Sequence, residues 1–252
     1  MRKRKMALQL YTLRNEGQKM GMDYVLKAVS DMGYMGVEPA GFYDMTPEQF
    51  VEACQKYNLE IVSAHMPLDP KIAKDTIKTA KKLGLKHLIC GYGKDAFKDL
   101  KAIKATAKIV NQLCDICADN GMKLVQHNHA HEFEMLNGKL KYDIYSELAP
   151  KVFFQLDIYW ATNYFANNEV EMMERFKDRI ALLHLKDGVG TGTIHMRPLG
   201  EGNLDIPGIC EACPDSIDNI IVELDATPIN QLLAVQYSYD YMTASGLAIG
   251  YK

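Results

Sequence analysis

Seven polar side chains each close a short apolar run: Gln9, Glu38, His65, His127, Asp157, His184 and Glu223. Burying an unpaired charge is expensive. Apolar runs that end this often in ionisable groups therefore point to one shared site, although any single histidine among them has a bland reading as hydrogen-bonded core. Four of the seven, His127, Asp157, His184 and Glu223, have the chemistry of one divalent-metal site. Two imidazoles and two carboxylates suit Mn²⁺, Fe²⁺, Co²⁺ or Zn²⁺ better than Ca²⁺, which prefers an all-oxygen shell. A six-coordinate ion held by four protein ligands leaves two positions for adjacent oxygens of a hydroxy-ketone. It would polarise the carbonyl and stabilise an enediolate.

The elements that must position these residues follow from alternation along the chain. Short β-branched or apolar runs at 7–11, 36–38, 60–64, 87–91, 123–127, 152–156, 180–185 and 219–223 read as strands. Between them, 23–32, 47–57, 73–83, 97–119, 142–148, 169–176 and 228–245 have helical period. Thr46-Pro47 and Thr227-Pro228 look like helix starts, an N-cap followed by proline. Gly33, Gly84 and Gly121 each sit just past a helix and before a strand, where a left-handed residue ends the helix. Strands alternating with helices imply an α/β protein with a parallel sheet, and this length fits a single (β/α)₈ TIM barrel. No Gly-x-Gly-x-x-Gly follows the first strand to favour an open dinucleotide-binding sheet, and no linker divides residues 1–252, so one domain is expected. The C-terminal strand ends, where barrels of this kind carry their chemistry, are the positions of the seven polar residues.

Composition narrows the function classes. A net charge of −3 offers no basic stripe for a nucleic-acid backbone. No apolar run approaches the roughly 18 residues of a spanning helix. The basic segment 1–5 reads as a solvated end before the first strand rather than a signal peptide. Two Cys-x-x-Cys pairs, at 114/117 and 210/213, lie much further apart than the roughly 15–20 residues of a zinc ribbon, so buried thiols are expected. Free thiols without a secretory signal suggest a cytoplasmic protein.

At the strand ends the sequence resembles the xylose-isomerase-like barrels of the sugar phosphate isomerase/epimerase family. The matching segments are Leu8-Gln9-Leu10-Tyr11, Gly36-Val37-Glu38, Val62-Ser63-Ala64-His65, His127-Asn128-His129, Leu156-Asp157-Ile158-Tyr159-Trp160, His184-Leu185-Lys186-Asp187, Pro198-Leu199-Gly200 and Val222-Glu223-Leu224-Asp225. The resemblance implies a sugar substrate and one divalent metal ion, Mn²⁺ first, with Co²⁺, Fe²⁺, Zn²⁺ or Mg²⁺ as alternatives. It also implies assembly as a homodimer or homotetramer. The family's epimerases hold their metal with Glu, Asp, His and Glu. Asp157, His184 and Glu223 fall on the last three positions, and the count from Gly121 brings His127, not Gln126, to the first.

That departure removes one of the two glutamates used as an acid/base pair across an enediolate. One base plus a metal suits proton abstraction beside a carbonyl followed by loss of a leaving group, which is dehydratase or lyase chemistry on a keto-sugar or keto-inositol. Glu223 is then the base, with His127 and Lys186 in the catalytic group. Lys186, two residues past His184 and on the same strand face, would donate to an enolate oxygen, or else pair with Asp187 or another acid at the rim. Gln9, Glu38 and His65 are expected to meet substrate hydroxyls, Trp160 to cap the apolar face of a sugar, and Arg197 to bind an anionic group. His129 and Glu132 would orient ligands or supply a separate acid. The loop 187–205, with Gly188, Gly190, Gly192, Gly200 and Gly202, reads as a phosphate cradle or as a lid over an uncharged sugar. A sugar-binding barrel or enzyme subunit without catalysis, and a metal-dependent abasic-site endonuclease, are the competing readings.

Overall fold

The computed structural model describes residues 2–190 and 196–252. Its eight barrel strands are β1 (Arg4–Gln9), β2 (Gly36–Glu38), β3 (Glu60–Ile61), β4 (His87–Gly91), β5 (Lys123–His127), β6 (Phe153–Asp157), β7 (Ile180–Leu185) and β8 (Asn219–Val222). They pair in parallel in the order β3-β2-β1-β8-β7-β6-β5-β4. The outer members of that row meet through His65 alone, which bridges to Ala40 on one side and to Ile89 on the other. The third strand is thus shorter than the expected 60–64, and a later histidine closes the ring.

Helices α1 (Arg14–Met20), α2 (Met22–Met32), α3 (Pro47–Lys56), α4 (Ala73–Lys82), α5 (Leu100–Asp119), α6 (Lys141–Leu148), α7 (Ile158–Ala161), α8 (Glu169–Phe176), α9 (Ile206–Ala212) and α10 (Gln231–Ala244) surround the sheet. Thr46 and Gln49 form a reciprocal capping box at the start of α3. Gly33, Gly84 and Gly121 do turn left-handed, with φ of 106°, 72° and 71°. Three expectations need correction. Strand β1 ends at Gln9 rather than Tyr11, because the Gln9 side chain accepts from the Tyr11 N–H at 3.0 Å and turns the chain into a 3₁₀ turn. Helix α10 starts at Gln231, capped by Asn230, not at Pro228. Helices α1, α7 and α9 had no counterpart among the expected elements; α9 opens on Asp205-Ile206-Pro207, a cap signal that was present to be read.

The basic terminus is solvated at Arg2 and Lys3 but not at Arg4. Arg4 lies in β1, 2% exposed, and its guanidinium donates to the carbonyls of Ile217, Cys210, Cys213 and Pro214 at 3.1, 3.3, 2.6 and 3.0 Å. It therefore satisfies the open carbonyls at the C-terminal end of α9, where a cation is also favoured by the helix dipole. The thiols of the second Cys-x-x-Cys pair are buried beside it, and all six cysteines are free and buried.

Most apolar side chains form one core between the strands and helices. A second, small cluster fills the inside of the barrel: Ala7, Ile89, Val125, Leu182 and Ile221, with Val62 and Phe153 against it. Gly36 belongs to this layer because a Cβ there would stand 2.8 Å from Val62 Cγ1. Side chains on one face of a strand recur every second residue. The next inward positions above this apolar floor are therefore Gln9, Glu38, Gly91, His127, Gln155, His184 and Glu223.

Replacing Arg4 with Met should remove the donors of four buried carbonyls and cost about 3 kcal/mol or more, read as a lower midpoint in urea unfolding. A loss under about 1 kcal/mol would show that α9 does not depend on this cap.

Candidate metal centre

Above the apolar floor the barrel opens into a cavity of about 670 Å³, whose lining includes Gln9, His65, His127, His129, Trp160, Glu223 and Asp225. At its base, one ligand atom each from His127, Asp157, His184 and Glu223 lies within 4.8 Å of the others, and all four residues are buried. His65, His127 and His184 form a second, overlapping group of the same kind. The four residues predicted to share a metal are thus brought together from β5, β6, β7 and the end of β8.

Each is held differently. Asp157 is clamped by Asn128, whose side chain accepts from the Asp157 N–H at 2.9 Å and donates to its carbonyl at 3.1 Å. Its Oδ1 caps α7 by accepting from the Trp160 N–H at 3.0 Å. Burial, only partly offset by Lys186, raises its carboxyl to about 6. His184 lies between two carboxylates, Nδ1 at 2.8 Å from Glu223 Oε2 and Nε2 at 2.6 Å from Glu38 Oε1. Burial opposes its charge, but the two carboxylates outweigh it and raise the imidazole to about 10. Glu223 goes the other way: burial would raise it, yet Lys186 and His184 hold it well below the usual carboxylate range.

His127 is the odd member. Its Nδ1 is buried and has no hydrogen-bond partner among the described residues. Burial, together with the nearby His184, His65 and His129, keeps its ring neutral, well below the ordinary histidine value. A buried, unpaired polar nitrogen is costly unless something fills its lone pair. A neutral imidazole facing two carboxylates and a second imidazole is a donor set that fits a divalent transition-metal ion.

Lys186 is 1% exposed, and its Nζ lies 2.8 Å from Asp157 Oδ2, 2.9 Å from Glu223 Oε2 and 2.6 Å from Asp225 Oδ2. Its partners are these acids and not Asp187. The ammonium also sits 5.3 Å from the centroid of the Trp160 ring, which forms part of the cavity wall. Burial opposes its charge, but the three carboxylates keep Lys186 protonated well above the ordinary lysine value.

Four residues expected at the substrate, Lys186 among them, are not among those lining the cavity. Glu38 is fully buried and accepts from Gln9, Gln155 and His184. Glu132 is also fully buried and accepts from the His129 N–H at 2.9 Å, closing the turn after β5. Burial keeps its carboxyl well above the usual range. Arg197 sits in a two-residue ladder with Asp187 and, among the described residues, its guanidinium donates to the Met196 carbonyl at 3.5 Å. Sequence reading missed Gln155, Asn128 and Asp225, whose roles depend on neighbouring strands.

The glycine-rich loop has its own anion. The Asp187 carboxylate accepts from the N–H groups of Gly188, Gly200, Gly202 and Leu204 at 2.8, 3.0, 3.0 and 3.2 Å. A Cβ at Gly202 would overlap that carboxylate. The backbone donors that could cradle a phosphate are therefore occupied from within; Gly192 lies outside the described residues. No helix among the described residues is long and apolar enough to cross a membrane.

The xylose isomerase-like TIM barrel family matches residues 26–228, and the chain belongs to that family. Inosose dehydratase of Geobacillus kaustophilus (strain HTA426) is 24% identical over 198 residues, covering 68% of this chain and 63% of that protein. The matched region therefore spans less than two thirds of that relative. A sugar phosphate isomerase/epimerase from Parabacteroides distasonis ATCC 8503 superposes with a TM-score of 0.82 at 21% identity over 99% of this chain and 96% of its own. The zinc-bound IOLI protein superposes with a TM-score of 0.71 at 18% identity, over 98% and 99% of the two chains.

Asp187→Ala should free the four loop N–H groups, raising hydrogen exchange at Gly188, Gly200, Gly202 and Leu204 by at least about tenfold. Gly202→Ala should do the same by displacing the carboxylate. Unchanged exchange in both variants would show that Asp187 does not order the loop.

Proposed function

We propose that this chain is a divalent-metal-dependent enzyme acting on a keto-sugar or keto-inositol, removing a proton beside the carbonyl and expelling a leaving group from the neighbouring carbon. The observation that carries the reading is His127, whose buried Nδ1 lacks a hydrogen-bond partner among the described residues, grouped with Asp157, His184 and Glu223 so that one ligand atom of each lies within 4.8 Å of the others. These four residues would hold the ion; Mn²⁺ is the first candidate, and Zn²⁺ is the ion bound by the IOLI relative. A bound ion supplies Lewis-acid polarisation of the carbonyl.

The chain supplies the proton chemistry. Glu223 lines the cavity and is kept ionised by Lys186 and His184, so it is the group placed to take the proton. Lys186 does not line the cavity and is held by three carboxylates, so its role is to keep Glu223 ionised and to place a positive charge near the oxygen that gains charge as the C–H bond breaks. Trp160 gives the sugar ring an apolar wall. Two-sided epimerisation needs a second carboxylate at the rim. The position is held instead by neutral His127, while Asp157 is tied to Asn128 and the turn of α7. This favours elimination over epimerisation. The occupied donors around Asp187 favour a substrate without a phosphate.

The inosose dehydratase relative suggests the first substrates to try. A panel of keto-inositols and keto-sugars in D₂O with Mn²⁺ should show deuterium exchange beside the ketone and release of water or alcohol, followed by NMR. Glu223→Gln should slow exchange by at least about 10²-fold, and His127→Ala should weaken metal binding by at least about tenfold. Ketose 3-epimerase activity as fast as that of two-glutamate enzymes would sink the lyase reading. Absence of both metal and exchange would leave a sugar-binding barrel, and cleavage at abasic DNA would restore the endonuclease.

A further inference from the structure

We infer that Glu38 is a positioning residue: it fixes the His184 imidazole so that Nδ1 faces the metal cluster, and ties that ligand to the cavity wall through Gln9 and His65. The inference rests on the metal-site reading above. Glu38 is fully buried at the end of β2 and does not line the cavity, so it cannot meet a substrate hydroxyl directly. Its two oxygens are surrounded by donors from four other strand ends. Oε1 lies 2.6 Å from Gln9 Nε2, 2.6 Å from His184 Nε2 and 3.1 Å from His65 Nε2. Oε2 accepts from Gln155 Nε2 at 2.7 Å and from the Ser63 hydroxyl.

An ionised carboxylate only accepts hydrogen bonds, so the His184 nitrogen beside it carries a proton. The other ring nitrogen, Nδ1, lies 2.8 Å from the ionised Glu223 carboxylate and carries a proton in the same way; an incoming ion would displace that proton, while Glu38 keeps the one on Nε2. A carboxylate on the outer nitrogen of a ligating histidine fixes the ring's tautomer and orientation and strengthens it as a donor. Because Gln155 and Ser63 hold the second oxygen, Glu38 cannot rotate away when the cavity fills. Gln9, which lines the cavity, donates to the oxygen that orients His184, and His65, also cavity-lining, lies 3.1 Å from that oxygen while its Nε2 hydrogen-bonds Gln155 Oε1 at 2.7 Å.

The test compares wild type, Glu38→Gln and Ser63→Ala, with Glu38→Asp replacing Glu38→Gln if the latter does not fold. Two readouts are taken at matched thermal stability: the Kd for Mn²⁺, and the far-downfield N–H proton of His184 in the metal-free protein. Glu38→Gln should weaken Mn²⁺ binding about 10- to 100-fold and remove or strongly shift that proton signal. Ser63→Ala, which leaves the His184 contact in place, should change Kd by less than about threefold. Wild-type Kd in Glu38→Gln, or an unshifted proton signal, overturns the inference. If wild type itself binds no Mn²⁺, the metal-site reading fails. The proton signal then decides the role of Glu38 alone, its loss supporting the inference and its persistence overturning it.

Discussion

A chain of alternating charges runs across the inside of the barrel, and the rest of the site depends on it. Glu38 contacts His184, His184 contacts Glu223, Glu223 contacts Lys186, and Lys186 contacts Asp157 and Asp225, each link between 2.6 and 2.9 Å. An isolated charge at this depth would cost several kcal/mol; alternation lets each member supply its neighbour's counter-charge. Removing any one leaves another uncompensated, so side-chain positions along the chain are set together. The apolar cluster beneath, from Ala7 to Ile221, keeps water out from below and strengthens every interaction above it.

The two-residue repeat of a strand decides where that chain can stand. An inward position at Val125 or Ile221 belongs to the apolar floor, and the next one, His127 or Glu223, belongs to the charged layer. This is why the cluster of His127, Asp157, His184 and Glu223 was readable from strand ends alone: pleat and burial turn residues of the same parity inward along each strand. The register between β6 and β7 shifts at Phe154 and Gln155, so Gln155 is level with His127 on β5 while Asp157 is level with His184 on β7.

What could not be read depends on which strands become neighbours. Glu38 meets His184 across 146 positions and Gln155 across 117, and nothing local to Gly36-Val37-Glu38 announces either partner. For the same reason Glu38 and Glu132 looked like substrate contacts when both are sealed beneath the wall. Arg4 was misread because charge near a terminus usually means solvent, whereas here it meets helix-end carbonyls more than 200 positions away. The glycine-rich loop was ambiguous in a different way. Glycine content signals converging N–H donors but not the anion they receive, and Asp187, immediately after Lys186, is that anion.

A histidine at the first ligand position also changes the charge balance of the site. With a glutamate there, as in the epimerases this barrel resembles, the cavity floor would carry another anion beside Asp157, Glu223 and Asp225. Burial favours the uncharged form of an imidazole, so His127 supplies a lone pair without adding negative charge. Lys186 is then balanced by fewer carboxylates and keeps more of its field for an oxygen arriving from the cavity, while only Glu223 remains to exchange a proton. In the proposed reaction, a site arranged in this way would stabilise an enolate and have no second carboxylate to reprotonate it from the opposite face. That asymmetry suits an intermediate that decays by losing a leaving group rather than by returning a proton.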